Sequence, residues 1–169
     1  SGEGYHIAGL INKKYFKKGL AFEINKNTRS TLNKNIKINK LEKKILEFSK
    51  ANFINIKKIV KAKDLSKTLF LIDIEGEEYN LINEDNLNYF KKSFLIIENH
   101  PFMIKNTKKK NAFTKLLKRY FKIEIINNDE RNPFVFKELK KLSDNDRWLL
   151  ISEGRPCEME WLVCSPKWN

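Results

Sequence analysis

The residues best suited to chemistry lie in two short segments. LIDIEGEE, residues 71–78, brings an apolar run to an acid, Asp73, followed by Glu75 and Gly76. LIIENH, residues 95–100, closes a second apolar run on Glu98 and His100. Carboxylates at the carboxyl ends of parallel strands stand on the rim where doubly wound sheets bind ligands. Three acids, Asp73, Glu75 and Glu98, and His100 would then converge on one crevice, with Asp73, His100 and Glu98 as the candidate catalytic set. An imidazole titrates near neutrality, so His100, at the mouth of that crevice, is a candidate general base. Plainer readings exist for each. Acids at a strand end also favour the dipole of the next helix, and a lone His is more often structural than catalytic. Oxygen and imidazole donors suit magnesium or manganese. The spacing matches no dedicated metal motif, however, so no metal site is assigned.

A third segment, SGEGYH at residues 1–6, places Gly2 and Gly4 just before a helical pattern. Glycines there let the backbone approach a ligand closely and turn sharply into a helix N-terminus. Two glycines alone are as easily an ordinary turn. Glu23 adds weight, because it lies about 20 residues on, at the end of the next strand, where doubly wound folds hold ribose hydroxyls. Loop, strand and acid together point to nucleotide-type binding; a solvated strand end is the plain alternative for Glu23.

Strands and helices must alternate to position these groups. Ile7, Leu10, Ile11 and Tyr15 share one helical face, and Gly19 after Lys17 and Lys18 suits the helix end. Residues 20–24 read as a short buried strand. Thr28 can cap a second helix through Leu32 and Ile36. Residues 44–48 read as a strand, and residues 54–60 as another in the connection. Residues 68–74, TLFLIDI, are the continuous apolar run expected of a central parallel strand. Residues 78–92 are largely helical, residues 94–98 the next central strand, and residues 111–121 an amphipathic helix through Phe113, Leu116, Leu117 and Tyr120. Residues 123–126 follow as a strand and residues 134–142 as a helix. A short turn of helix starts at Asp144 or Asp146, and a last strand covers residues 159–164 after a Gly-Arg-Pro turn. This alternation gives an α/β fold with a mostly parallel sheet. A doubly wound sheet also needs a strand before its glycine loop. None precedes Ser1, so the first strand is expected upstream of residue 1. Residues 1–169 are read as a single domain, N-terminally incomplete.

The chain length of 169 residues suffices for one domain with a substantial core. The net charge of +13 suits an anionic partner: nucleic acid, membrane surface or phosphorylated substrate. Composition favours a plainer cause. Arg29, Arg119, Arg131, Arg147 and Arg155 are the only arginines among 34 basic residues. Such a Lys-, Asn- and Ile-heavy chain looks like coding drift, whereas nucleic-acid readers favour Arg for its planar, bidentate donors. Lys105, Lys108, Lys109 and Lys110 follow the second central strand on the edge that carries the acids; they read as attracting an anionic substrate or as a plain polar loop. No apolar run approaches a membrane span. Cys157 and Cys164 cannot make a disulfide framework and lack the company of a zinc site, so both read as packing residues in a reduced, cytoplasmic setting. No signal-peptide pattern opens the chain, though it starts on Ser1 and not Met.

These segments carry a family resemblance. SGEGYH resembles the second half of the methyltransferase motif acid-x-Gly-x-Gly-x-Gly, and AFEINKNTRSTLNKNIKIN the strand-acid-helix unit after it. IDIEGEE is similar to the Asp-x-Glu-Gly-x-Glu signature of FkbM-type methyltransferases, and FLIIENH to that family's next strand, so the match runs in order over residues 1–100. LISEGRPCEMEWLVCSPK resembles the last turn and antiparallel strand of some such proteins. The resemblance implies a Rossmann-like, S-adenosylmethionine-dependent methyltransferase: a mostly parallel sheet with an antiparallel last strand and helices on both faces. It implies that Gly2, Glu3 and Gly4 line the methionine end of the cofactor. Glu23 would bind the ribose hydroxyls with Ile24 against the adenine, bordered by Ala51 and Asn52. Asp73 would sit close to the sulfonium and the substrate, with Glu75, Glu98 and His100 as acceptor-side polar groups. The expected reaction is O-methylation of a small-molecule or sugar-type acceptor, which Lys105 and Lys108 would attract where it is anionic. One rival is a basic nucleic-acid-binding protein, or an RNA methyltransferase, using the Lys-rich surface and the RYFK stretch at 119–122. Against it, the aromatics of that region belong to a core stripe. The other rival is a nucleotide-binding oxidoreductase, which Glu23 would also suit but IDIEGEE does not resemble.

Overall fold

The computed structural model describes residues 1–103, 107–127, 132–152 and 159–167, and of residues 107–111 the backbone alone. The chain forms two compact units, Ser1–Lys61 and Ala62–Asn169.

The first unit runs α1 (Tyr5–Asn12), β1 (Gly19–Phe22), α2 (Lys26–Ile38), β2 (Ile45–Phe48) and α3 (Phe53–Ile59). β1 and β2 pair in parallel, with Phe22 opposite Phe48 and their rings stacked at 5.1 Å. Parallel neighbours need a crossover, and α2 supplies it. Leu32 and Ile36, one helical turn apart, join Ile11, Ala21, Leu41 and Ile45 in the core. α2 begins earlier than a Thr28 cap would allow. Asn25 caps it instead, its side-chain oxygen accepting from the Asn27 and Thr28 amides. Residues 54–60 are a helix and not the expected strand. Asn52 accepts from the Asn55 amide at 2.8 Å and starts α3, which buries Ile56 and Val60 on one face and leaves Ile54 exposed. That i, i+4 spacing is helical, and a period-2 strand could not bury both residues on the same side with Ile54 outside.

The second unit opens with a 3-10 turn at Ala62–Lys67. It continues through β3 (Leu69–Ile72), α4 (Glu78–Leu81), α5 (Glu84–Phe90), β4 (Phe94–Asn99), α6 (Thr107–Leu117), β5 (Phe121–Asn127), α7 (Asp144–Ile151) and β6 (Glu160–Pro166). Its sheet has the order β3-β4-β6-β5. β3 and β4 are parallel, and β6 runs antiparallel to both β4 and β5, so the last strand has the expected direction. The helix expected over 78–92 breaks at Ile82. That residue is fully buried, and Asn83 starts a new helix by accepting from the Asp85 and Asn86 amides. Residues 134–142 form two 3-10 turns, Pro133–Val135 and Lys137–Lys141, separated by an extended Phe136. The core gathers Leu87, Phe90, Leu95, Ile97, Leu117 and Leu162, all fully buried. Each such side chain contributes about 1.5–3 kcal/mol of transfer free energy. Phe70 meets Phe90 edge-on at 5.0 Å, which fixes α5 against the sheet. At its carboxyl end β4 stays buried while turning polar, through Glu98, Asn99 and the following His100. No helix among the described residues is long and apolar enough to cross a membrane.

Candidate active site

In the first unit the glycine turn and the β1 acid meet directly. Gly4 is left-handed at φ 92°, and a Cβ there would stand 2.6 Å from Leu32 Cδ1, so only glycine lets this turn close on α2. Glu23 follows β1 immediately. The Gly2 amide donates to its Oε2 at 2.9 Å and the Asn25 amide to its Oε1 at 2.8 Å, and the Ser1 amine stands 3.5 Å away. Burial pushes the Glu23 carboxyl upward, but the Asn25 amide, the Ser1 amine and the Gly2 amide outweigh it and hold the group below its usual range. Arg29 Nη1 donates to the Glu23 carbonyl at 2.7 Å and steadies the strand end. A carboxylate offers about four lone-pair sites, so Glu23 can still accept from a ligand. A Cβ built on Gly2 meets nothing within 4 Å, and Ile24 is 68% exposed beside the acid. Open backbone, a free acceptor and an exposed aliphatic side chain fit a nucleoside-type ligand. Glu3 is exposed, and its carbonyl accepts from Asn35 Nδ2 at 2.9 Å. Ala51 and Asn52 are half-buried beyond β2, with the Asn52 carboxamide oxygen committed to capping α3.

In the second unit the turn after β3 is unusual. Glu75 is left-handed at φ 54° and Gly76 follows at φ 93°. A non-glycine residue held there costs of order 1–3 kcal/mol. The turn hands the chain to α4, whose first residue, Glu78, is completely buried. Glu78 Oε1 lies 2.6 Å from His100 Nδ1. Accepted by an ionised Glu78, this hydrogen bond requires the proton on Nδ1, which in a neutral ring leaves the lone pair on Nε2. That Nε2 faces Glu75 Oε2 at 3.5 Å, Asp73 Oδ1 at 3.8 Å and Glu98 Oε2 at 3.9 Å. His100 is 2% exposed, Asp73 36% and Glu75 75%, so the cluster reaches from the interior to solvent. Among the described residues, Asp73 Oδ1 and Glu78 Oε2 are buried without a hydrogen-bond partner. An unpaired buried polar atom costs about 1–3 kcal/mol.

A second polar chain runs beside this one. The Tyr79 hydroxyl donates to Asn99 Oδ1, and Asn99 Nδ2 donates to Glu160 Oε1 at 2.6 Å, across a β4–β6 pair that stands in register. Burial, then the charges of Glu78 and Glu160, push the Tyr79 phenol up to about 12.

The structure therefore brings Asp73, Glu75, Glu98 and His100 together, as their strand-end positions suggested. It brings Gly2 and Gly4 to Glu23. Lys105 lies outside the described residues, as does Cys157, and so does the side chain of Lys108; Cys164 is buried in β6. Sequence reasoning gave no role to Glu78, although it is the last acid of Asp-x-Glu-Gly-x-Glu, or to the Tyr79–Asn99–Glu160 chain. The signals for Glu78 were its place in that signature and at the start of the helix that follows Gly76.

No family model matches this sequence, and no curated protein does. Solved structures do match. Sp1610 of Streptococcus pneumoniae, described as a candidate tRNA (m1A22) methyltransferase, superposes with a TM-score of 0.62 at 16% identity, over 100% of this chain and 62% of that one. The fold is that of Rossmann-like methyltransferases. The same protein in complex with S-adenosyl-L-methionine gives 0.61 over 99% and 63%. A candidate rRNA methylase from Clostridium thermocellum matches at 0.54 and 10% identity, over 99% of this chain and 84% of that one. A candidate O-methyltransferase from Klebsiella pneumoniae matches at 0.54 and 7%, over 96% and 80%. The chain thus spans about three fifths of the length of Sp1610. Identities this low establish architecture, and in this methyltransferase fold the chemistry belongs to whichever residues occupy the strand ends.

Proposed function

We propose that the chain is the methyltransferase domain of an S-adenosylmethionine-dependent O-methyltransferase of the FkbM type, acting on a small-molecule or sugar-type acceptor. The observation that carries this reading is the hydrogen bond from the Gly2 amide to Glu23 in a chain with the methyltransferase fold. It joins a glycine turn to an acid at the end of β1, the pairing that a ribose-bearing cofactor requires. Gly2, Glu3 and Gly4 would hold the methionine end, Glu23 the ribose hydroxyls, and Ile24, Ala51 and Asn52 the adenine. Once bound, that cofactor supplies an activated methyl carbon and a good leaving group.

The protein's own part is alignment and proton handling. His100 presents a lone pair on Nε2 because Glu78 holds the proton on Nδ1, so Nε2 can take the proton of an acceptor hydroxyl while Glu78 stabilises the resulting imidazolium. Asp73, Glu75 and Glu98 can accept hydrogen bonds from the same acceptor and orient it. Lys105 and Lys108 would draw in an anionic acceptor.

Thermal-shift titration with S-adenosylmethionine, NAD and a short RNA tests the reading. S-adenosylmethionine alone should raise the melting temperature, since a ligand at about a hundred times its Kd stabilises by roughly 2.7 kcal/mol. Glu23→Ala should remove the shift. A response to NAD would replace the reading with an oxidoreductase, and a response confined to RNA would replace it with a nucleic-acid-binding module.

A further inference from the structure

We propose that Asp73, Glu75 and His100 form a binding site for one divalent cation, with Glu98 within reach as a fourth donor and Glu78 as the positioning residue. The three donor atoms all lie within 4.8 Å of one another. Donors about 2.1 Å from a shared ion sit roughly 3–4 Å apart. His100 Nε2 stands 3.5 Å from Glu75 and 3.8 Å from Asp73, within that range and beyond the span of an ordinary N–H···O hydrogen bond. The imidazole is 2% exposed, and among the described residues its hydrogen bond is on Nδ1, with Nε2 facing the other carboxylates at 3.5–3.9 Å. Asp73 Oδ1 is buried and, among the described residues, accepts no hydrogen bond. An unsatisfied buried oxygen facing an imidazole nitrogen across a gap of 3.8 Å leaves room for a shared partner, and unsatisfied buried groups in native proteins commonly mark an ion or a water.

The charge balance points to an ion over a water. Three carboxylates, Asp73, Glu75 and Glu78, face one imidazole. Among the described residues, every ion pair of Asp73, Glu75 and Glu78 runs to His100. A protonated imidazole would cancel a single charge; a divalent cation cancels two and gives Asp73 Oδ1 a partner. The Glu78–His100 arrangement is also the one that presents imidazole to a metal, with the far nitrogen fixed on a carboxylate so that tautomer and ring orientation are set. Carboxylate-rich donors with one imidazole and an open, solvent-facing side at Glu75 suit manganese or magnesium. A cation on Nε2 takes the lone pair that would otherwise accept a proton, so the ion-bound and base forms of His100 exclude one another.

Manganese(II) is the probe, because its free-ion paramagnetic resonance signal disappears on binding. Wild-type protein, without cofactor or acceptor, should take up one ion per chain. Glu75→Gln and His100→Gln should each weaken binding at least tenfold, and Glu78→Gln by roughly 10–100-fold through loss of ring orientation. Glu75 is 75% exposed, so its variant should fold like the wild type and keeps the test decisive if the buried variants do not. No uptake by the wild type, or uptake unchanged in Glu75→Gln, would overturn the site. Manganese binding without an S-adenosylmethionine shift would leave the ion site standing and remove the methyl-transfer reading; the opposite pair of results would do the reverse.

Discussion

His100 is fixed on one carboxylate and turns its free nitrogen toward three more, so its environment decides its chemistry. If it removes the acceptor proton, His100→Gln and Asp73→Asn should lower kcat by about 10²–10⁴ in protein that circular dichroism shows to be folded. Unchanged turnover in both variants would rule out the assignment. Glu23 makes a prediction in acid. Its carboxyl is held below the usual range, so the ionised form belongs to the folded state. The stability it contributes is present above the ordinary carboxylate pKa and is lost as pH falls through the depressed folded value. Amide exchange at Gly2 and Asn25 should therefore speed up, relative to the rest of the first unit, only below the ordinary carboxylate range. Glu23→Gln should show that fast exchange at neutral pH; equal, pH-independent protection in both proteins would refute the coupling. Asp73, Glu75, Glu98 and His100 were legible from sequence because each ends or closely follows an apolar run. Glu78 was not. An acid in the first turn of a helix is favoured by the dipole wherever it points, and only the packed structure shows this one buried against an imidazole.

At the scale of elements, the β3–α4 turn controls the site. Glu75 and Gly76 take left-handed backbone in succession, and a Cβ on Gly76 would stand 2.9 Å from Met103 Cβ. Gly76→Ala adds about 1–2 kcal/mol of backbone strain to that contact. For a chain of this size each kcal/mol lowers the melting temperature by roughly 2–4 °C. Calorimetry should show a drop of that order, together with loss of manganese uptake as Glu75 is displaced; a variant as stable as wild type would mean that the turn adapts freely. Caps decided where helices begin. Asn25, Asn52 and Asn83 each accept backbone amides and set the starts of α2, α3 and α5. The strand expected over residues 54–60 became α3 because a short apolar run fits either period, and the cap settles the matter. The helix expected over residues 78–92 broke because Asn83 caps and Ile82 is needed in the core.

For the whole molecule, a net charge of +13 sets a background of self-repulsion. Screening lengths shrink from about 30 Å at 0.01 M salt to about 8 Å at 0.15 M, so the melting temperature should rise over that interval as the repulsion is screened. A fall would mean that local ion pairs outweigh the net charge. By itself the sequence determined the α/β class, the alternation of strands and helices and the acids at the strand ends. These follow from local periodicity and from apolar runs that only a buried strand can accommodate. Tertiary structure alone decided the rest: that the glycine turn hydrogen-bonds to Glu23, that the chain forms two compact units, and that Glu78 locks His100 while Tyr79, Asn99 and Glu160 form a parallel chain. Those contacts join residues some twenty to sixty positions apart, and hydrophobic pattern carries no information about which polar side chains will meet once the apolar ones are buried.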